Sequence, residues 1–484
     1  MEEPTEEHFD LIVRNGTVID GTGAPCLQAD VGIVGDRITR VGDLSEARAD
    51  KTIDAGGRIV APGFIDVHTH DDRALLLEEA MIPKSSQGVT TVVAGNCGVS
   101  LAPLTPRAEP PPPINLIGSE EDFRYPEFAD LAEAFNAKPP QVNAAYFVGH
   151  STLRFGVMGH DLDRPATPPE IDQMRAMLNT AMEQGAIGLS TGLVYPPATA
   201  APTDEVVALA EVAAAHGGLY STHLRNEGDQ VIEAMNEAFE IVERAGLPLI
   251  LSHHKCHDRK NFGRSVETLA AIEDAADRLD VGFDVYPYVA GSTALLPSFV
   301  ERAERVVVSW SEPHPEVSGR DLSDIAAEFQ CDPMDAIDRL SPAGAIYFMM
   351  SEEDVQRILS HPMAMVGSDG LPHDQHPHPR LWGTFPRVLG HYVRDLGLFP
   401  LEEGVRRMTS LSAAQFGLTD RGVVREGGFA DLVVFDPDTI AEAASYDTPT
   451  TPALGIDLVM VSGEIIHEDG CCTGHRPGRL LKRS

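Results

Sequence analysis

From about residue 61 to residue 368 the chain repeats one pattern eight times, a short apolar run followed in most cases by an amphipathic stretch. The runs fall near residues 64–68, 90–95, 144–149, 186–190, 219–223, 248–253, 282–286 and 364–368. Between them, Glu170 to Gln184, Asp204 to His216, Val231 to Arg244 and Val266 to Leu279 carry apolar residues at helical spacing. A helix between two strands returns the chain across the sheet, so the next strand runs parallel to the last. Eight such units predict an α/β fold, a (β/α)8 barrel over residues 61–417.

The two ends of the chain read differently. Residues 9–60 hold short apolar runs punctuated by Asn15-Gly16, Asp20-Gly21 and Gly35-Asp36, which is hairpin chemistry. Strand character returns after residue 418 in Ala430 to Phe435 and Leu458 to Val461. Residues 1–60 and 418–484 are therefore expected to form one small β-sandwich domain. Two further departures stand out. Residues 104–117 are proline-rich, with Pro110 to Pro113 consecutive. Residues 287–346 separate the seventh and eighth runs by far more than a usual connection. They carry helical signals at Asp321 to Gln330 and Pro333 to Leu340, and read as a lid or specificity element.

A formal charge of −37 excludes nucleic acid and anionic membrane as partners, since both repel such a surface. No apolar run approaches the ~18 residues that span a bilayer, and the acidic start is the wrong charge for a secretory signal. The six cysteines are too few and too scattered for a disulfide framework. The expectation is a cytoplasmic enzyme acting on a small molecule, monomeric or weakly homo-oligomeric.

Barrel active sites lie at the carboxyl ends of the strands, and polar residues of one chemical kind collect there. The first run ends in His68-Thr69-His70, two imidazoles expected on one face of a strand with Asp66 behind them. Beyond the second is Cys97, between Asn96 and Gly98. The fifth ends at His223, the sixth at His253, and the eighth is followed by Asp369. Neutral imidazole is the commonest side-chain ligand of zinc, and thiolate and carboxylate complete its usual donors. Each residue alone has a bland reading as a cap, a core thiol or a surface imidazole. Six of them at equivalent positions of different strands converge on a metal centre.

The segments Ala-Pro-Gly-Phe-Ile-Asp-Val-His-Thr-His, Gly-Asn-Cys-Gly, Ser-Thr-His-Leu-Arg-Asn-Glu, Leu-Ser-His-His-Lys, Asp-Val-Tyr-Pro-Tyr, Gly-Ser-Asp-Gly-Leu-Pro-His-Asp and Ala-Asp-Leu-Val-Val-Phe-Asp-Pro cover nearly the whole chain. In them it resembles the amidohydrolase superfamily, and within it the N-acyl-D-amino-acid deacylases. Many relatives hold their metals with a carboxylated lysine from the fourth strand. Here that strand ends in Ser190-Thr191-Gly192, which agrees with the cysteine arrangement of the deacylase branch.

The resemblance implies a tightly bound zinc on Cys97, His223 and His253, and a second, weaker site formed by His68, His70 and Asp369. Asp369 would also be the catalytic general base and acid. The same resemblance, with position, gives Lys255, Tyr286, Ser292 and Arg380 as the clamp for the substrate carboxylate. Tyr195 would be a donor to the developing oxyanion. Lys255 reads equally as a surface lysine, and Arg380 as half of a structural salt bridge.

The implied activity is hydrolysis of N-acyl-D-amino acids to a carboxylate and the free D-amino acid. Hydrolysis of a cyclic amide, as by hydantoinases and dihydroorotases, is the alternative enzyme reading, with a silent scaffold as the alternative outside catalysis. His373, His376 and His378 read as pocket rim. His254 and His257 are read as facing away from the ligands, and Cys471-Cys472 as inert.

Overall fold

The computed structural model describes residues 8–77 and 81–484. All eight expected strands are present: Phe64–Asp66, Val89–Ala94, Asn143–Tyr146 continued by Val148–Gly149, Gly188–Gly192, Leu219–His223, Leu249–Leu251, Val281–Val285 and Ala364–Val366. Every residue in them is buried. That explains why they read as predominantly apolar runs without strict apolar–polar alternation.

They pair in parallel as two sheets, the first three strands in one and the third through eighth in the other. The third strand belongs to both, its two pieces joined at Phe147. The segments following the first and eighth strands also meet, through a parallel bridge between Thr69 and Gly370. Asp369 N donates to His68 O at 2.7 Å and His70 N to Gly370 O at 3.0 Å.

The helices between the strands start and stop where local chemistry dictates. In Pro168–Gln184, Thr167 and Glu170 form a capping box, and Gly185 ends the helix in the left-handed conformation. Val231–Ala245 ends likewise at Gly246.

The end segments join in a single nine-stranded sheet. Its seam is the antiparallel pairing of Leu432–Phe435 with Ile59–Pro62. The first strand, His8–Val18, divides one edge between Arg48–Asp54 and Ile59–Pro62 and gives the other to Leu27–Val34. Leu11, Val13, Val31, Leu432, Val434 and Met460 share one buried core across the seam. Two details differ from the sequence reading. Strand Ile59–Pro62 runs across the expected boundary at residue 60. The last residues leave this sheet and return to the amino end of the third parallel strand, where Leu481 N donates to Ala144 O at 2.7 Å.

The insertion after the seventh strand contains both expected helices, as Leu322–Phe329 and Pro333–Leu340. It also contains a three-stranded antiparallel sheet of Ala290–Ala294, Arg305–Ser311 and Ala343–Phe348 that the sequence reading did not anticipate. Its apolar core includes Phe299, Val308, Ile325, Ile337 and Tyr347, together with Cys97 and Tyr195. The insertion therefore packs directly on the strand ends that carry the candidate donors.

Candidate active site

Parallel strands bring their carboxyl ends to one side, and all six expected donors lie there. The first strand stops at Asp66, so His68 and His70 sit just beyond it and not on it, held by the hydrogen bonds to the eighth segment. Cys97, His253 and Asp369 have positive φ, at 51°, 36° and 48°. That conformation costs an L residue about 1–2 kcal/mol and recurs where a site dictates the backbone. The turn bearing Cys97 rests against the backbone of its neighbours. A Cβ on Gly149 would overlap the backbone of Gly98, and one on Gly192 would overlap the carbonyl of Cys97.

Cys97 is the hub of the cluster. Its Sγ is 3.2 Å from His68 Nε2, 3.3 Å from His253 Nε2 and 3.9 Å from His223 Nδ1. Asp369 Oδ1 is 3.6 Å from His68 Nε2 and 3.3 Å from His70 Nε2. One donor atom each from His68, Cys97, His253 and Asp369 falls within 4.8 Å of the others, and His223, Glu227 and His253 form a second such group. Zinc–ligand bonds of about 2.0–2.3 Å at tetrahedral angles put neighbouring donors about 3.5 Å apart, so the spacing fits a metal ion. The two ligand sets implied by the resemblance are not spatially separate. Cys97 borders both, as near to His68 as to His253.

The donors also perturb one another electrostatically. Burial alone would push the Cys97 thiol up, but His68 and His253, with hydrogen bonds from His223 and His253, outweigh it and hold the thiol well below its ordinary value. Thiolate is the ligating form. Burial pulls the His223 imidazole down, while Glu227 and Cys97 raise it to about 9. Burial acts likewise on His70, and Asp369 and Cys97 raise it to about 9. Asp369 is pushed up by burial, yet Arg380 and the histidines keep it well below the usual carboxylate range, hence ionised.

Three buried groups that the sequence reading did not single out steady the donors. Glu227 lies 3.4 Å from His223 Nε2 and 3.2 Å from His253 Nδ1, and accepts from Lys255 Nζ at 2.8 Å. Asp284 Oδ2 is 3.3 Å from His68 Nδ1, while its Oδ1 accepts from His253 N at 3.0 Å. Such carboxylates fix which ring nitrogen faces the metal. The third group is Lys84 with its partners beneath His68-Thr69-His70. Glu227 had a sequence signal, since it closes the segment Ser-Thr-His-Leu-Arg-Asn-Glu. Asp284 had one of the same kind, since it opens Asp-Val-Tyr-Pro-Tyr, whereas Lys84 had none beyond its place in the chain.

The amidohydrolase family profile matches residues 51–467, most of the chain. The chain belongs to the amidohydrolase family. D-aminoacylase of Alcaligenes xylosoxydans xylosoxydans is 53% identical over 484 residues, all of both chains. A solved structure of D-aminoacylase, described as having a binuclear metal center, is 55% identical. It superposes with a TM-score of 0.96, covering 98% of this chain and 100% of that one. N-acyl-D-glutamate deacylase from Bordetella bronchiseptica, solved with zinc and a phosphonate inhibitor, is 45% identical with a TM-score of 0.94, over 98% of this chain and 100% of its own.

In this amidohydrolase the five expected substrate residues surround the donors. Lys255 Nζ donates to Glu227 Oε1 at 2.8 Å and lies 2.6 Å from His253 Nδ1, so it is no surface lysine. Arg380 is buried at the start of a helix, its guanidinium 2.8 Å from Asp369 Oδ2 and stacked 4.6 Å over the Tyr286 ring. Arg380 also donates to Ser292 O at 3.1 Å. Tyr195 OH is 3.0 Å from Thr293 Oγ1, and its ring meets His223 edge-on.

Two pockets open from the cluster. One is walled by Phe299, Tyr347 and Met349 beside Lys255 and Tyr286. The other is walled by Val99, Pro113, Leu116, Ile117 and Leu371, so the proline-rich stretch contributes to it. Of the remaining histidines, His257 does not face away as expected but lines the pocket beside Lys255, its N donating to Glu227 O at 2.9 Å, while three others bond elsewhere. His254 Nε2 bonds Thr268, His376 Nε2 bonds Tyr446 O, and His373 meets Arg73. Among the described residues no helix is long and apolar enough to cross a membrane.

Proposed function

We propose that this chain hydrolyses N-acyl-D-amino acids to a carboxylate and the free D-amino acid, with zinc as its metal, on a closed (β/α)8 barrel. The observation that carries the reading is a pair of overlapping donor groups, His68, Cys97, His253 and Asp369 in one and His223, Glu227 and His253 in the other, with a partly buried Lys255 and a buried Arg380 beside them, in a chain 53% identical to a D-aminoacylase. Closure of the barrel is supported by the Thr69–Gly370 bridge between the segments that follow the first and eighth strands.

Cys97, His223 and His253 would hold the tight zinc, and His68, His70 and Asp369 the weaker second ion. Bound there, zinc supplies a Lewis acid that polarises the amide carbonyl and acidifies water. Asp369 takes a proton from the attacking water and returns it to the leaving nitrogen. Tyr195 OH donates to the oxyanion as the carbonyl becomes tetrahedral. Arg380 and Lys255, with Tyr286 and Ser292, orient the α-carboxylate.

An amide carries two substituents, and two pockets meet at the donors. The pocket beside Lys255 takes the amino-acid side chain. Its Phe299, Tyr347 and Met349 walls favour neutral apolar residues, because the cations nearby are committed to the α-carboxylate. The opposite pocket takes the acyl group. A cyclic-amide hydrolase is disfavoured because the fourth strand, Gly188–Gly192, ends in Ser-Thr-Gly and carries no lysine. The free state of the six cysteines suits a reducing compartment, the cytoplasm.

The test is turnover of N-acetyl-D-methionine, N-acetyl-D-glutamate and N-acetyl-L-methionine by protein of known metal content. We expect about one tight zinc and a preference for the D-methionine derivative over both others. Equal rates on the two methionine enantiomers, or no hydrolysis by zinc-replete protein, would sink the assignment.

A further inference from the structure

Lys84 is fully buried, and its ammonium is a junction of four side chains. Nζ donates to Asp66 Oδ2 at 2.6 Å, Ser368 Oγ at 2.7 Å and Thr69 Oγ1 at 3.0 Å, and lies 3.2 Å from Asp71 Oδ2. Each of these residues is next to, or two from, a candidate metal donor. Asp66 precedes His68, Thr69 separates His68 from His70, Asp71 follows His70, and Ser368 precedes Asp369.

The same side chains bind the backbone of both donor segments. Asp66 Oδ1 accepts from Ser368 N at 2.8 Å and from His68 N at 3.3 Å. Ser368 Oγ accepts from Gly370 N at 3.1 Å, and Thr69 Oγ1 donates to Asp71 Oδ2 at 2.8 Å. A buried ammonium is tolerated only when charge and hydrogen bonds compensate it. Here the compensation is arranged around two segments that lie far apart in sequence.

We propose that Lys84 is a positioning residue that holds His68, His70 and Asp369 in register as one unit, acting from behind them without touching metal or substrate. Cys97, His223 and His253 stand on other strand ends and take no part in its hydrogen bonds. Losing the ammonium therefore misplaces the weaker-site donors and the catalytic carboxylate and spares the tight site. The carboxylate clamp at Lys255 is likewise untouched. The inference rests on the metal and Asp369 roles proposed above.

The test uses two variants of the full chain. Lys84→Met removes the charge, and Thr69→Val with Ser368→Ala removes two acceptors while keeping the Lys84–Asp66 pair. Zinc titration by calorimetry and steady-state kinetics on N-acetyl-D-methionine are the readouts. We expect the first zinc equivalent to bind within threefold of the parent and the second to weaken at least tenfold. Expected kinetics are a kcat at least tenfold lower with KM within threefold.

Second-equivalent affinity and kcat within threefold of the parent in either folded variant would overturn the proposal. So would equal weakening of both equivalents in the double variant, which marks a general packing role. If Lys84→Met does not fold, the double variant decides alone. If the parent does not hydrolyse the substrate, the functional reading fails, while the zinc titrations still decide the role of Lys84.

Discussion

Replacing Glu227 by Gln isolates the contribution of one buried carboxylate to metal binding. Glu227 is 2% exposed and serves His223, His253 and Lys255 at once, with its charge held well below the usual range because these cations outweigh burial. Glutamine keeps the shape but turns one oxygen into a donor, facing either the His223 nitrogen or the Lys255 ammonium. Outer-shell partners of this kind are worth about 10–100-fold in metal affinity, or about 1.4–2.7 kcal/mol.

Leaving the largely buried Lys255 ammonium beside a neutral amide adds up to about 3–5 kcal/mol of destabilisation. Unfolding entropy of about 2 cal/mol/K per residue amounts to about 1 kcal/mol/K for a chain this size, so the melting temperature should drop by about 3–5 °C. The assay is chelator competition for the first zinc equivalent, paired with a thermal scan of the same sample. First-site affinity within threefold of the parent would refute the claim that Glu227 orients these imidazoles. A melting temperature unchanged to within 1 °C, on the order of 1 kcal/mol, would refute the accounting for Lys255.

Two further outcomes are expected. Cys97→Ala should lose the tight zinc by elemental analysis, whereas Asp369→Ala should keep it and lose turnover; full activity in either variant contradicts that residue's role. Glu205, buried with His150 and Arg154, should tie stability to acid pH. Burial would raise its carboxyl, but His150 and Arg154 depress it from 4.5 to about 2. A depressed carboxylate stabilises the fold above pH 4.5 and loses that contribution as pH falls toward 2, on the order of 3 kcal/mol in all. The melting-temperature gap between parent and Glu205→Gln should be full at pH 6–7 and close toward pH 3, and a gap independent of pH excludes this linkage.

The eight strands were legible because burial on both faces leaves mostly apolar, β-branched and small residues in them, as in Val89–Ala94. The sheet of the insertion was not. Its strand Arg305–Ser311 pairs with Ala343–Phe348 across two helices, and the latter strand begins Ala-Gly-Ala, which carries little strand signal. The metal donors were legible because they interrupt apolar runs at one structural position. Their supports were hidden because their meaning lies in distant pairings, such as His68 with Asp284 and Lys84 with Ser368, which no local pattern records. Lys255 read ambiguously because a lysine beside a ligand acquires its role from Glu227, which comes from a different strand end.

The seam between Ile59–Pro62 and Leu432–Phe435 has a consequence for biosynthesis. Some 370 residues separate the two sides, so at about 5–20 residues per second the first strand group waits roughly 20–75 s for its partner. Throughout that interval Ile59–Pro62 presents an apolar edge with unpaired backbone groups, the kind of surface that recruits strands from other chains. The terminal residues that pair with Ala144 emerge later still. Folding of this chain is thus completed late in synthesis, and slower elongation would raise aggregation more than it would for a protein whose domains close in order.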